Sequence, residues 1–253
     1  MDIKTDDRVH FLDSLRGFTL VHMVLFHLCY DLAFFVGLDM PWFKQWPGDV
    51  WGGCIRWSFI LISGIVFSMG KHPFKRGAVL MGWGCVLTLV TWIAVPDALI
   101  RFGVLSFLGA ASIIGAAAYP YLKRIPAFYG ILCSLILLEV TWQLPDGWLR
   151  LASQLRCGLP EALYGTKWLY WLGFPDAGFY STDYFPIFPW IFLFIIGIYM
   201  GELFRNNGIF CWMSRWDPGA LAFLGRHSLC IYLIHQPALY GLCLFWENLN
   251  IVW

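Results

Sequence analysis

Long apolar runs separated by short polar turns set the pattern of this chain. Seven runs, at roughly 11–37, 50–70, 77–95, 101–119, 127–144, 186–204 and 220–246, approach the ~20 residues a helix needs to cross a hydrocarbon core, and each predicts a spanning helix. Between them lie KHPFKR (71–76), PDALI (96–100), YLKRIP (121–126), a long stretch at 145–185 and FRNNGIFCWMSRWDPG (204–219). The fold this predicts is all-α, a polytopic membrane helix bundle. Basic residues orient it, because cytoplasmic loops keep Lys and Arg. With the N-terminus in the cytoplasm, the inner side collects Lys4, Arg8, Arg16, Lys71, Lys75, Arg76, Lys123, Arg124, Arg205, Arg215 and Arg226, eleven of seventeen. The C-terminus then lies outside. No paired halves of the transporter kind are visible, so residues 1–253 read as a single transmembrane domain with an extracytoplasmic region at about 145–185. Within that region LRLASQLRCGLPEALYG predicts an amphipathic interfacial helix. The aromatics of WLYWLGFPDAGFYSTDYFP anchor the lipid boundary or stack on a sugar.

Composition sharpens the membrane reading. Of 253 residues 59% are hydrophobic and 13% charged, against about a quarter charged in soluble domains. The net charge of +1 gives nucleic acid no reason to bind. Of eight cysteines, Cys29, Cys54, Cys85, Cys133, Cys230 and Cys243 fall inside apolar runs with no CxxC or CxxH spacing. They read as small core hydrophobes, neither disulfides nor metal ligands. The start MDIKTDDRVH is too polar for a cleavable signal peptide.

The first run, FLDSLRGFTLVHMVLFHLCYDLAFF, carries Asp13, Arg16, His22, His27 and Asp31. Each ionisable group in a membrane helix costs on the order of 2.5–3.5 kcal/mol at the centre, so five of them imply a use. Eleven steps from Arg16 to His27 turn about 1100°, close to three full turns, and climb about 16 Å. Asp13, Arg16, Met23, His27 and Tyr30 thus share a stripe, with Asp31 one turn past His27. Asp31 is expected to orient the His27 imidazole, leaving its other nitrogen to take a proton. His22 faces elsewhere and is assigned to packing. The bland alternative is that these groups only pair with one another and stitch helices together.

The R-x10-H spacing of LRGFTLVHMVLFH resembles the signature of membrane acyltransferases of type three, as does FILISGIVFSM (59–69). LDSLRG, RFGVLSFLG (101–109), FPWIFLFIIGIYMGE (188–202) and LGRHSLCIYLIHQP (224–237) resemble the heparan-alpha-glucosaminide N-acetyltransferase catalytic-domain family more closely. Together they span most of the chain in order. The resemblance implies a bacterial cytoplasmic-membrane enzyme that moves an acetyl group from cytosolic acetyl-CoA, without a metal, to a glycan or lipid-linked sugar acceptor outside. It leaves room for a homo-oligomer.

Under that resemblance His27 and Asp31 are the catalytic candidates, His27 acting as general base or acyl carrier. Arg16 would meet CoA phosphates with paired donors, and the pantetheine arm would run along the helix to His27. Ser63, in the S-G of the second run, aims a hydroxyl at the substrate or allows close helix approach. Lys75 and Arg76 hold the CoA 3′-phosphate or reflect positive-inside bias alone. His235 and Trp190 are the acceptor-side candidates, with HQP expected to form a polar kink at Pro237. Glu139 reads as a carboxylate deep in the fifth helix that must be protonated or paired. One departure stands: the lysosomal heparan enzyme places its catalytic His in the loop after the first helix, and GLDMPWFKQWPGDV has none. Heparan is therefore a poor guess for the acceptor. The competing class is a transporter or flippase using the same stripe for proton coupling.

Overall fold

A computed structural model describes residues 9–152, 155–214 and 219–250, with side chains as far as Trp246. Lys4, Arg8 and Arg215 of the basic count lie outside these residues. The helices are α1 (His10–Phe34), α2 (Trp46–Phe67), α3 (Pro73–Ala94), α4 (Val104–Leu122), α5 (Ala127–Val140), α6 (Ile187–Asn206), α7 (Ile209–Met213), α8 (Ala220–Arg226) and α9 (Ser228–Asn250). Among the described residues seven helices are long and apolar enough to cross a membrane. They match the seven runs, with ends displaced by a few residues. Pro73 sits in the first turn of α3, where its missing N–H has no partner to lose.

Two expectations about the secondary structure are corrected. The run at 220–246 is two helices, α8 and α9, broken at His227, whose φ of −100° and ψ of 17° leave the helical region. The amphipathic stretch after 149 is not an interfacial helix. Among its described residues, 149–150 and 156–158 belong to a short antiparallel hairpin, β1 (Trp148–Arg150) on β2 (Arg156–Gly158), with Leu149 opposite Cys157, and Glu161–Leu163 make a single 3-10 turn. Gly147, at φ +92°, turns the chain into β1 in a backbone region glycine tolerates at no steric cost. Pro160 then follows β2 and lacks the N–H a continuing helix would use.

Contacts gather the chain into two compact units, one of residues up to Ile62 and from Asn207 onward, the other Ser63–Asn206. In the first, α1 packs on α8 and α9. A Cβ on Gly17 would overlap the Leu221 carbonyl, and one on Gly225 would overlap the Asp13 carbonyl. Bare backbone on both sides is what lets these two helices approach so closely. Above this contact Leu20, Met23 and Ile55 form a buried apolar cluster, flanked by Phe26, Trp51, Leu224 and Ile231.

The second unit uses the same device. Gly64 of α2 lies against the Phe194 carbonyl and Gly197 of α6, and Gly201, one turn further, against the Ile65 carbonyl. Gly77 of α3 meets the Gly109 carbonyl of α4. Lipid tails are as apolar as leucine, so helices in a membrane are held by such close packing and by hydrogen bonds. Here the bonds are specific. Tyr119 of α4 donates to Glu202 of α6, and Arg205 reaches Glu202 at 3.3 Å and the Ser68 carbonyl at 2.6 Å. Glu139 stands in the last turn of α5, exposed, and pairs with Arg150 of β1 at 3.1 Å. It is not the deep carboxylate expected, because α5 ends at Val140. The aromatics that follow pack on each other: Tyr170 stacks on Phe179 at 5.1 Å, and Tyr184 donates to the Tyr170 carbonyl at 2.5 Å. Asp183 accepts from the Val104 N–H at 3.0 Å and so caps α4.

Candidate functional site

The polar side chains of α1 are ordered along its length. Near the start, Arg16 pairs with Asp13, one turn back, at 3.6 Å. Asp13 is buried and Arg16 half-buried. One turn on, the same face presents Leu20 and Met23 to the apolar cluster. The row from Arg16 to His27 is therefore filled by packed hydrocarbon between its polar ends. An extended substrate that touches both ends must pass beside this row.

At the other end, His27 is half-buried and faces His235 of α9, with ring centroids 4.9 Å apart at 59°. One turn further, Asp31 is fully buried and accepts from the Gln236 side-chain amide, at 3.0 Å on one oxygen and 3.3 Å on the other. The register explains the set: residues 27 and 31 are one turn apart on α1 and point the same way, so they meet consecutive residues of α9. This corrects the expected Asp31–His27 contact, since the carboxylate is taken by Gln236. The orienting bond sought on His27 is found on His235, whose Nδ1 lies 2.6 Å from the Tyr232 carbonyl. A carbonyl oxygen only accepts, so Nδ1 carries the hydrogen. His235 Nε2 and Gln236 Oε1 are buried without a hydrogen-bond partner among the described residues. Pro237 lies inside a helix that runs unbroken from Ser228 to Asn250.

His22 is a packing residue, as its position predicts: its Nδ1 accepts from Trp51 Nε1 at 3.1 Å, and its ring lies 4.4 Å from Phe18. Ser63, Lys75, Arg76 and Trp190 belong to the second unit. Ser63 is half-buried beside Gly64, whose absent Cβ accounts for the close approach to α6. Lys75 and Arg76 are exposed in the first turn of α3. Trp190 packs edge-on against Trp142 at 5.4 Å and beside Phe185 at 5.4 Å. The structure thus joins His27, Asp31 and His235 and adds Gln236, which the sequence reading named only as part of HQP. Nothing in the sequence spacing could pair Asp31 with a residue at the far end of the chain.

Seven span-length helices among the described residues, with ionisable and amide groups meeting between α1 and α9, define an integral membrane protein. The profile of the family described as "Heparan-alpha-glucosaminide N-acetyltransferase, catalytic" matches residues 8–237, and the chain belongs to that family. Its class of activity is that of a transmembrane acetyltransferase. Neither a curated protein nor a solved structure matches the chain.

Proposed function

We propose that the protein transfers an acetyl group from acetyl-CoA on the cytosolic side to a glycan or lipid-linked sugar acceptor beyond the bacterial cytoplasmic membrane, with the reaction at His27. The observation that carries this reading is the facing pair His27 and His235, with Asp31 and Gln236 locked together on the next turn. In the direct route the acceptor's nitrogen or oxygen attacks the thioester carbonyl and an imidazole takes its proton. The C–S bond then breaks, and the CoA thiolate leaves and picks up that proton. In the two-step route His27 carries the acetyl group between the two substrates. Both end in acetylated acceptor and CoA thiol.

Arg16, at the opposite end of α1's polar row, is the residue for the CoA phosphates. Its Asp13 partner holds the guanidinium in place. Because Leu20 and Met23 are packed, the pantetheine arm enters beside them. Lys75 and Arg76 remain the candidates for the 3′-phosphate, and Trp190 for the acceptor.

The test is thiol release from acetyl-CoA by the purified protein together with its melting temperature. The expected result is that CoA raises the melting temperature of wild type and His27→Ala alike, while His27→Ala releases no thiol. Thiol release that survives in His27→Ala removes this residue from the reaction. A wild type that neither releases thiol nor responds to CoA overturns the donor assignment.

A further inference from the structure

We propose that Gln236 holds the acyl acceptor's nucleophilic group, and that Asp31 acts through Gln236 as a positioning residue. This rests on the transferase reading of the same site. In its carboxylate form Asp31 only accepts hydrogen bonds, so it makes the Gln236 amide present Nε2, and it does so with both oxygens. The amide cannot turn over without losing both contacts. Its Oε1 is thereby aimed away from Asp31, buried, and without a partner among the described residues. The neighbouring ring is fixed in the same sense. His235 is 9% exposed; its Nδ1 hydrogen goes to the Tyr232 carbonyl, so in the neutral ring the buried Nε2 carries a lone pair that no described residue meets.

Two consecutive residues of α9 therefore present acceptors unanswered among the described residues, His235 facing His27 and Gln236 one turn along at Asp31. Buried polar groups are nearly always paired, and an orphan asks for the group that completes it. Both orphans here ask for a hydrogen. A thioester carbonyl has none to give; an amine or a hydroxyl does. The geometry assigns the α9 side of the site to the nucleophile and leaves the acetyl donor to His27. It also gives the buried Asp31 a task other than holding an imidazole. When the nucleophile attacks, His235 Nε2 is placed to take its proton, while Oε1 keeps a hydrogen bond to a second N–H or to the incoming group as it turns.

The experiment is steady-state acetyl transfer from acetyl-CoA by the full chain in detergent, with D-glucosamine as the amine probe and D-glucose as the hydroxyl probe. Gln236→Met keeps the side-chain length but removes both the lock and the acceptor oxygen. Its expected effect is a rise in KM for the sugar probe of about tenfold, the size of one lost hydrogen bond, with KM for acetyl-CoA and the melting shift given by CoA unchanged. The double variant Asp31→Asn with Gln236→Glu exchanges the amide and the carboxylate. It preserves the bond between α1 and α9 and leaves an acceptor oxygen at 236, so the sugar KM is expected to return toward wild type. Should Gln236→Met fail to fold, Asp31→Asn alone serves: residue 31 can then offer either edge, the amide at 236 is no longer fixed, and the sugar KM rises while the fold holds. An unchanged sugar KM in these variants, or a rise in the KM for acetyl-CoA instead, overturns the assignment. A wild type that transfers nothing and gains no stability from CoA overturns the transferase reading, and this inference with it.

Discussion

His27 of α1 and His235 of α9 lie with ring centroids 4.9 Å apart, brought together from opposite ends of the chain by helices that also share the Asp31–Gln236 bond one turn away. Two imidazoles at that separation can each reach a common reacting atom. The family resemblance includes motifs of α1 and of the α8–α9 segment, and two of their glycines meet. Gly17 of LDSLRG and Gly225 of LGRHS are the points where α1 and α8 touch backbone to backbone.

That contact makes the first prediction. Gly225→Ala pushes a methyl group into the Asp13 carbonyl and is expected to destabilise the protein by about 1–3 kcal/mol, the usual cost of overpacking. Gly241→Ala, also on a helix of this unit but with open space around it, is the control. Thermal unfolding in detergent should lower the midpoint for Gly225→Ala and leave the control unchanged or slightly higher.

His22 and His27 lie only five residues apart and separate cleanly in role. Trp51→Phe removes the indole hydrogen that His22 accepts, at an expected cost of about 0.5–1.5 kcal/mol. Acetyl transfer by His22→Phe should stay within a few-fold of wild type. A loss as deep as that of His27→Ala would place His22 in the reaction.

In the second unit, Glu202 accepts from Tyr119 and pairs with Arg205, which also holds the end of α2 through the Ser68 carbonyl. Tyr119→Phe is expected to cost about 1 kcal/mol. Arg205→Ala should cost more, since it releases α2 as well and leaves Glu202 with one partner fewer. Denaturation midpoints of the two variants, measured side by side, give the order.

Burial pushes the Tyr184 and Tyr164 hydroxyls above the ordinary tyrosine value, with neighbouring phenols adding to the effect at Tyr184 and Asp146 at Tyr164. A group raised on folding favours its protonated form in the native state. The stability it contributes is therefore intact below about pH 10 and lost as pH climbs beyond it. Tyr184→Phe, which also gives up the bond to the Tyr170 carbonyl, should lower stability near neutrality and flatten this alkaline decline in a pH series of melting temperatures.

The seven spans were legible because apolar length is a local property, and His27, Asp31 and His235 because ionisable groups stand out against it. Their pairing was not. Helical periodicity places Asp31 one turn from His27, which suggests a bond within α1, but a carboxylate goes to whichever donor the neighbouring helix brings, and only packing reveals Gln236. Glu139 shows the same limit in reverse. Its apolar neighbours read as mid-helix, while the real end of α5 at Val140 and the hairpin that supplies Arg150 depend on Gly147 and a strand pairing of three residues. Leu20 and Met23, periodic and apolar, gave no sign that they would close the face between Arg16 and His27 by meeting Ile55.

The central claim is that the two imidazoles act as one reaction centre. Its most direct test is kcat/KM for acetyl transfer in His27→Ala, His235→Ala and the double variant. Each single substitution is expected to lower it by about 100-fold or more, and the double variant should fall little further than the worse single, because groups that act as a unit are not additive. Transfer that persists within a few-fold of wild type in both single variants, with CoA still bound, would contradict the account.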